Sequence, residues 1–144
     1  HDERGYPALN EKAHDRLVNR LVDKVRLNAG KIKMHEEHWL EDAETVVVSF
    51  GCTARSARRA VALARSEGLK VGLLRLITIW PFPETRIREI IAEGKVRRFV
   101  VPEINLGQIR REVERLTQLP VERVNHPGAM ITPQRILEAV HQCQ

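Results

Sequence analysis

Residues 45–69, TVVVSFGCTARSARRAVALARSEGL, decide the fold. Thr45 to Phe50 is a short β-branched run that reads as a buried strand. Gly51 turns the chain, and Cys52 or Thr53 stands where a helix needs a cap. That helix buries Ala57, Ala60, Val61 and Ala64 at helical spacing. It stops at Gly68, a residue suited to a left-handed C-terminal cap. The same grammar recurs downstream. Lys70 to Ile77 is a second strand, followed by a proline-rich turn and a helix from near Glu84 that uses Ile87, Ile90 and Ile91 and ends at Gly94. Val96 to Val101 is a third strand, which Pro102 ends. A helix from about Gly107 carries Ile109, Val113 and Leu116. Val121 to Asn125 is a short edge strand, and Thr132-Pro133 supplies a cap and a first-position proline for a last helix.

Strands alternating with helices imply an α/β fold. We expect an open, mostly parallel sheet of about four strands with helices on both faces. The expected strand order is 2-1-3-4, which makes the first and third strands neighbours at a switch point. A long N-terminal helix precedes this body. Asn10 caps it, and Leu17, Val18, Leu21, Val22, Val25, Ala29 and Ile32 form one apolar stripe. The polar segment Lys33 to Glu44 reads as a connection. The chain therefore divides into an extension, residues 1–40, and an α/β domain, residues 41–144.

Two segments that follow strands stand out as contact surfaces. Trp80-Pro81-Phe82-Pro83 is stiff and apolar, so docking through it loses little entropy, and tryptophan is enriched at interface hot spots. Glu103, Asn105, Gly107 and Gln108 belong to a polar loop built to a shape. Thr53 and Arg55, at a helix start across the switch point from that loop, form a candidate anion site.

Other constellations read as structure. His35-Glu36-Glu37-His38 places its histidines three apart, not the four that HExxH requires. Cys52 reads as a buried structural thiol and His126 as a turn residue. Gly51 alone does not make a dinucleotide fingerprint. Cys52 and Cys143 are too far apart in sequence to suggest a disulfide framework or a CxxC metal site. We expect no catalytic, cofactor-binding or metal-binding residue.

The net charge of +5 raises nucleic acid as a partner. The cations, however, alternate with carboxylates, as in Arg110-Arg111-Glu112-Val113-Glu114-Arg115, which reads as a solvated salt-bridged face. Neither nucleic acid nor a membrane is an expected partner. A reducing cytoplasm is the default for so few cysteines. The opening His1-Asp2-Glu3-Arg4-Gly5, without Met, suggests a fragment or a processed product.

The stretches VVVSFGCTARSARRAV, KVGLLRLITIWPFPE and VVPEINLGQIRREVERL closely resemble the C-terminal part of the alpha subunit of 2-oxoacid:ferredoxin oxidoreductases, the 2-oxoglutarate synthase type above all. HDERGYP is similar to the segment that joins that domain to the one before it. The resemblance implies a fold like the transketolase C-terminal domain. It also implies a holoenzyme that oxidatively decarboxylates a 2-oxoacid to an acyl-CoA and reduces ferredoxin, using thiamine diphosphate, magnesium and an iron–sulfur cluster. The family's aminopyrimidine site lies in the preceding domain. The sequence here holds no Gly-Asp-Gly magnesium–diphosphate motif and no grouped thiolates, so no catalytic residue carries over. The role that transfers is docking. The expected partners are the other domains of the alpha subunit and the thiamine-diphosphate-binding beta subunit, with homo-oligomerisation open. The alternative function is a module for a small anionic, CoA-like ligand between Thr53, Arg55 and the loop from Glu103 to Gln108.

Overall fold

The strand run Val46-Val47-Val48 is apolar at every position because both of its faces are covered. Side chains alternate along a strand, and helices on both sides of a parallel sheet demand continuous hydrophobicity. In the computed structural model, which describes residues 1–142 apart from Glu3, Val46 and Val48 enter one core and Val47 the other. The elements, in chain order, are α1 (Glu11–Arg26), α2 (Ala29–Ile32), β1 (His35–His38), β2 (Thr45–Phe50), α3 (Thr53–Ser66), β3 (Val71–Leu76), α4 (Glu84–Ala92), β4 (Arg98–Glu103), α5 (Gln108–Glu114), β5 (Val121–Asn125) and α6 (Pro133–His141).

The sheet order is β1-β3-β2-β4-β5. Within it, β3, β2, β4 and β5 are parallel, in the order expected from the sequence. On one face, Val61 of α3 and Ile136 of α6 pack over Val47, Leu73 and Val100. On the other, Ile87 of α4 and Val113 of α5 pack over Val48, Leu74 and Phe99. Asn10 caps α1 by accepting from Ala13 N at 2.9 Å, and Thr132 caps α6. Gly68 and Gly94 follow α3 and α4 with positive φ.

Three readings need correction. The segment expected as a plain connection contains β1, which pairs antiparallel with β3 at the sheet edge. It lacks an apolar signal because ion pairs hold its carboxylates. Glu36 accepts from Arg75 at 2.9 Å, and Glu37 accepts from Arg86 at 2.6 and 2.9 Å. Charged residues also suit an edge strand, where they discourage pairing with other chains. Secondly, the first helix ends at Arg26. Ala29 and Ile32 lie in the separate turn α2, and no residue of α1 is buried.

Thirdly, Pro102 does not end its strand. Phe99 N donates to Pro120 O, and His126 N donates to Glu103 O, so the odd positions of β4 face β5. Pro102 then turns toward β2, where the strand pairing has already stopped at Val47–Val100. A residue without an N–H is tolerated there because no donor is needed.

A close approach is built in at Gly72 of β3. A Cβ there would lie 2.6 Å from Leu40 Cδ2 and 2.7 Å from Trp39 O. The turn carrying Trp39, whose φ is 53°, therefore sits directly on the strand. Among the described residues no helix is long and apolar enough to cross a membrane.

Candidate functional site

The turn after β3 is tied down at its start. Ile77 N and Thr78 N donate to Met34 O at 3.0 and 3.1 Å, and Met34 N donates to Thr78 Oγ1 at 2.8 Å. The chain then passes Ile79 and reaches Trp80-Pro81, joined by a cis peptide. Here the tetrapeptide divides. Phe82 is 6% exposed and packs in the core with Val48 and Ile87, whereas Trp80 is 64% exposed. Pro81 and Pro83 are buried. Within the stretch read as a contact surface, Phe82 therefore anchors the turn and Trp80 is presented by it. Met34, Ile77 and Ile79 are exposed beside it, three apolar contributors that the sequence reading did not single out.

The second loop is organised by Glu103. Its side chain is fully buried at the end of β4. One carboxylate oxygen accepts from Ile109 N at 2.8 Å and the other from Arg110 N at 2.9 Å. These are among the N–H groups that an α5 helix leaves without partners at its start. Asn105 Oδ1 accepts from Gly107 N at 2.7 Å and Gln108 N at 2.9 Å, an Asx turn. Gly107 has φ 98°, a left-handed conformation that costs a side-chain-bearing residue strain. Glu103, Asn105 and Gly107 thus shape the loop from within. Gln108 and Leu106 are its exposed members, and Leu106 was not anticipated. Next to Gly107, both polar atoms of the Asn125 side chain are buried without a hydrogen-bond partner.

The two motif regions are linked. Glu84, which starts α4 just after the tetrapeptide, accepts from Arg115 at the end of α5 at 2.6 Å. Hydrogen bonding to Arg115 holds the Glu84 carboxyl below its ordinary range.

Thr53 and Arg55 differ in their surroundings. Thr53 is buried as the first residue of α3, while Arg55 is exposed and lines a cleft with Arg58 and Arg75. No hydrogen bond among the described residues joins Thr53 or Arg55 to the loop from Glu103 to Gln108. Cys52 is exposed, contrary to expectation, and Cys143 lies outside the described residues. His35 and His38 sit at odd separation on a strand and so on opposite faces. His35 Nε2 is 3.1 Å from Glu37, and His38 Nε2 is 3.9 Å from Glu36. His126 lies in a turn and its carbonyl accepts from Ala129 N.

The donor set can be compared with the groups that the sequence resemblance implies. Among the described residues no three His, Cys, Asp or Glu side chains are grouped to hold a metal ion. The one described cysteine cannot supply the several thiolates of an iron–sulfur cluster. The described residues therefore do not fit such a cluster.

A family model described as pyruvate:ferredoxin oxidoreductase core domain II matches residues 43–136. The 2-oxoglutarate synthase subunit KorA of Methanothermobacter marburgensis is 47% identical over 117 residues, covering 81% of this chain and 31% of that protein. The ketoisovalerate oxidoreductase subunit VorB of Methanothermobacter thermautotrophicus is 43% identical over 110 residues, covering 75% and 31%. The chain thus spans about a third of the length of these curated relatives. Among solved structures, 2-oxoglutarate:ferredoxin oxidoreductase from Magnetococcus marinus, with 2-oxoglutarate, coenzyme A and succinyl-CoA bound, superposes with a TM-score of 0.77 at 23% identity. It covers 99% of this chain and 25% of that one. A split-gene transketolase superposes with a TM-score of 0.62 at 15% identity, covering 74% of this chain and 40% of that one. At these identities the two structures bear on the fold alone.

Proposed function

The chain belongs to the pyruvate:ferredoxin oxidoreductase core domain II family, and from that premise we propose that it acts as a non-catalytic docking domain. Its relatives are subunits of 2-oxoacid oxidoreductases, which implies partner subunits. On our reading this chain is the corresponding part of an alpha subunit of the 2-oxoglutarate synthase type. Its partners are then the rest of that subunit and a thiamine-diphosphate-binding beta subunit. Thiamine diphosphate, magnesium and the iron–sulfur cluster serve the holoenzyme from elsewhere, and CoA and ferredoxin are used there. No step of the reaction is assigned to a residue of this chain. We place the divide between extension and domain ahead of His35, because β1 pairs with β3.

The observation that carries the docking role is the division of Trp80-Pro81-Phe82-Pro83. Phe82 is locked in the core while Trp80 is held out, with Ile77, Ile79 and Met34 exposed beside it. A large aromatic on a pre-set turn is the kind of anchor that dominates interface energetics. The loop from Asn105 to Gln108 supplies the polar contact, with Leu106 exposed at its tip.

Two measurements test this. The chain alone, given 2-oxoglutarate, CoA and a ferredoxin substitute, is expected to reduce nothing, and CoA-dependent reduction overturns the non-catalytic reading. In a whole KorA-type subunit carrying this segment, Trp80→Ala is expected to weaken co-purification of the partner subunit at unchanged thermal stability. Undiminished co-purification removes Trp80 as the anchor.

A further inference from the structure

Helix α3 contains four arginines and no carboxylate. Arg65 is matched by Asp42 at 2.6 Å. Arg55 and Arg58 are exposed and make no ion pair among the described residues. Arg55 stands in the first turn of the helix, where positive charge is disfavoured because that end already carries the positive pole of the helix dipole. A local rule broken without a compensating partner marks a place where something other than stability was selected.

A second element meets these arginines. A cleft of about 250 Å³ opens between the start of α3 and the β1–β3 edge, lined by Arg55, Arg58, Arg75, Glu36, His38 and Cys52 among others. Arg75 donates to Glu36 at 2.9 Å. The cleft therefore sets three guanidiniums against one carboxylate. His38 Nε2 is buried and has no hydrogen-bond partner. Drug-sized ligands occupy pockets of roughly 300–1,000 Å³, so this volume suits a compact group and not a whole dinucleotide.

We propose that this cleft binds a compact dianion, a phosphate-type or dicarboxylate group, with Arg55 and Arg58 as the direct donors. Arg75, held by Glu36, and the His38 ring line the same cleft. The site is displaced from the Thr53–Arg55 pair expected from the sequence. It does not depend on the docking role, so failure of either reading leaves the other standing.

Calorimetric titration of the chain with pyrophosphate and, separately, with succinate tests it. One probe is expected to bind at a single site. That affinity is expected to fall at least about tenfold in the Arg55→Ala/Arg58→Ala double variant, as loss of charge-assisted hydrogen bonds requires. Arg58→Lys should lose less, since it keeps the charge. Arg123→Ala, on the opposite edge strand, should bind as the parent does. Preference for pyrophosphate assigns a phosphate ligand, and preference for succinate a dicarboxylate. Circular dichroism of each variant establishes that it is folded. The proposal is overturned by the absence of saturable binding of either probe up to millimolar concentration. An unchanged affinity in the double variant, or an equal loss in Arg123→Ala, also overturns it.

Discussion

Replacing Glu103 by alanine removes the one carboxylate that serves two backbone donors at once. Ile109 N and Arg110 N lie 2.8 and 2.9 Å from its oxygens. The side chain is fully buried, so water does not replace it without disturbing the loop. Loss of an N-terminal cap costs about 0.5–2 kcal/mol. Counted instead as two buried donors left without partners, the same loss is about 1–3 kcal/mol each. The carboxylate also regains hydration when the chain unfolds, which offsets part of the sum. We therefore expect Glu103→Ala to cost about 2–4 kcal/mol. Domains of this size shift by about 2–4 °C for each kcal/mol, so the thermal midpoint should fall by roughly 4–16 °C. Glu103→Gln keeps one acceptor oxygen and turns an amide donor toward the other N–H, so its loss should be intermediate. Thermal unfolding followed by circular dichroism measures both. A midpoint within about a degree of the parent for Glu103→Ala refutes the argument that this carboxylate holds the loop. Equal losses for the two variants would show that charge, not acceptor count, is the controlling quantity.

Phe82→Ala should cost about 3–5 kcal/mol, because a core aromatic leaves a cavity, whereas Trp80→Ala should change stability by less than about 0.5 kcal/mol. Urea unfolding separates the two, and similar losses would contradict the division of the motif. Gly72→Ala sets a Cβ within 2.6 Å of Leu40 Cδ2 and should destabilise by about 1–3 kcal/mol; an unchanged urea midpoint would show that the Trp39–Leu40 turn moves aside freely. The Glu37 carboxyl is held below its ordinary 4.5, first by its hydrogen bond to Arg86. A depressed folded-state value means stability that is complete above 4.5 and is lost as pH falls through the lower folded value. Arg86→Ala should therefore lower stability at neutral pH and flatten its fall in acid, and parallel acid profiles for parent and variant would rule this out.

The parallel strands were legible because burial on both faces leaves unbroken runs such as Val46-Val47-Val48, and the strand order followed from chain connectivity. β1 was not legible. His35-Glu36-Glu37-His38 has no hydrophobic period, and its carboxylates are held by Arg75 and Arg86, 39 and 49 positions away. Local pattern reading does not reach such partners. The shape of the polar loop was readable from Asn105 and Gly107, whose turn preferences are local. The work of Glu103 was not, because a glutamate near a helix start reads equally well as a solvated charge. Its burial is decided by where β5 and α5 close over β4. Likewise Trp80 and Phe82 are alike in sequence terms, and only the fold gives one to the core and the other to the surface.

That division bears on why the domain presents apolar surface at all. Both cores are filled by the body itself, from Val47 and Ile136 on one face to Phe99 and Ile87 on the other. The remaining exposed apolar side chains are not needed to complete either core. Several lie in two places: Val18 and Leu21 on α1, and Ile77, Ile79 and Trp80 after β3. The second group is held in position by backbone bonds to Met34 and by the Phe82 anchor. A loosely held apolar turn has the freedom to fold back onto the domain; this one is prevented from doing so. Rigid presentation lowers the ordering cost of association. On the docking role proposed above, it is therefore the anchoring of the turn, and not its hydrophobicity alone, that sets this edge apart from incidental exposure of surface leucines and isoleucines.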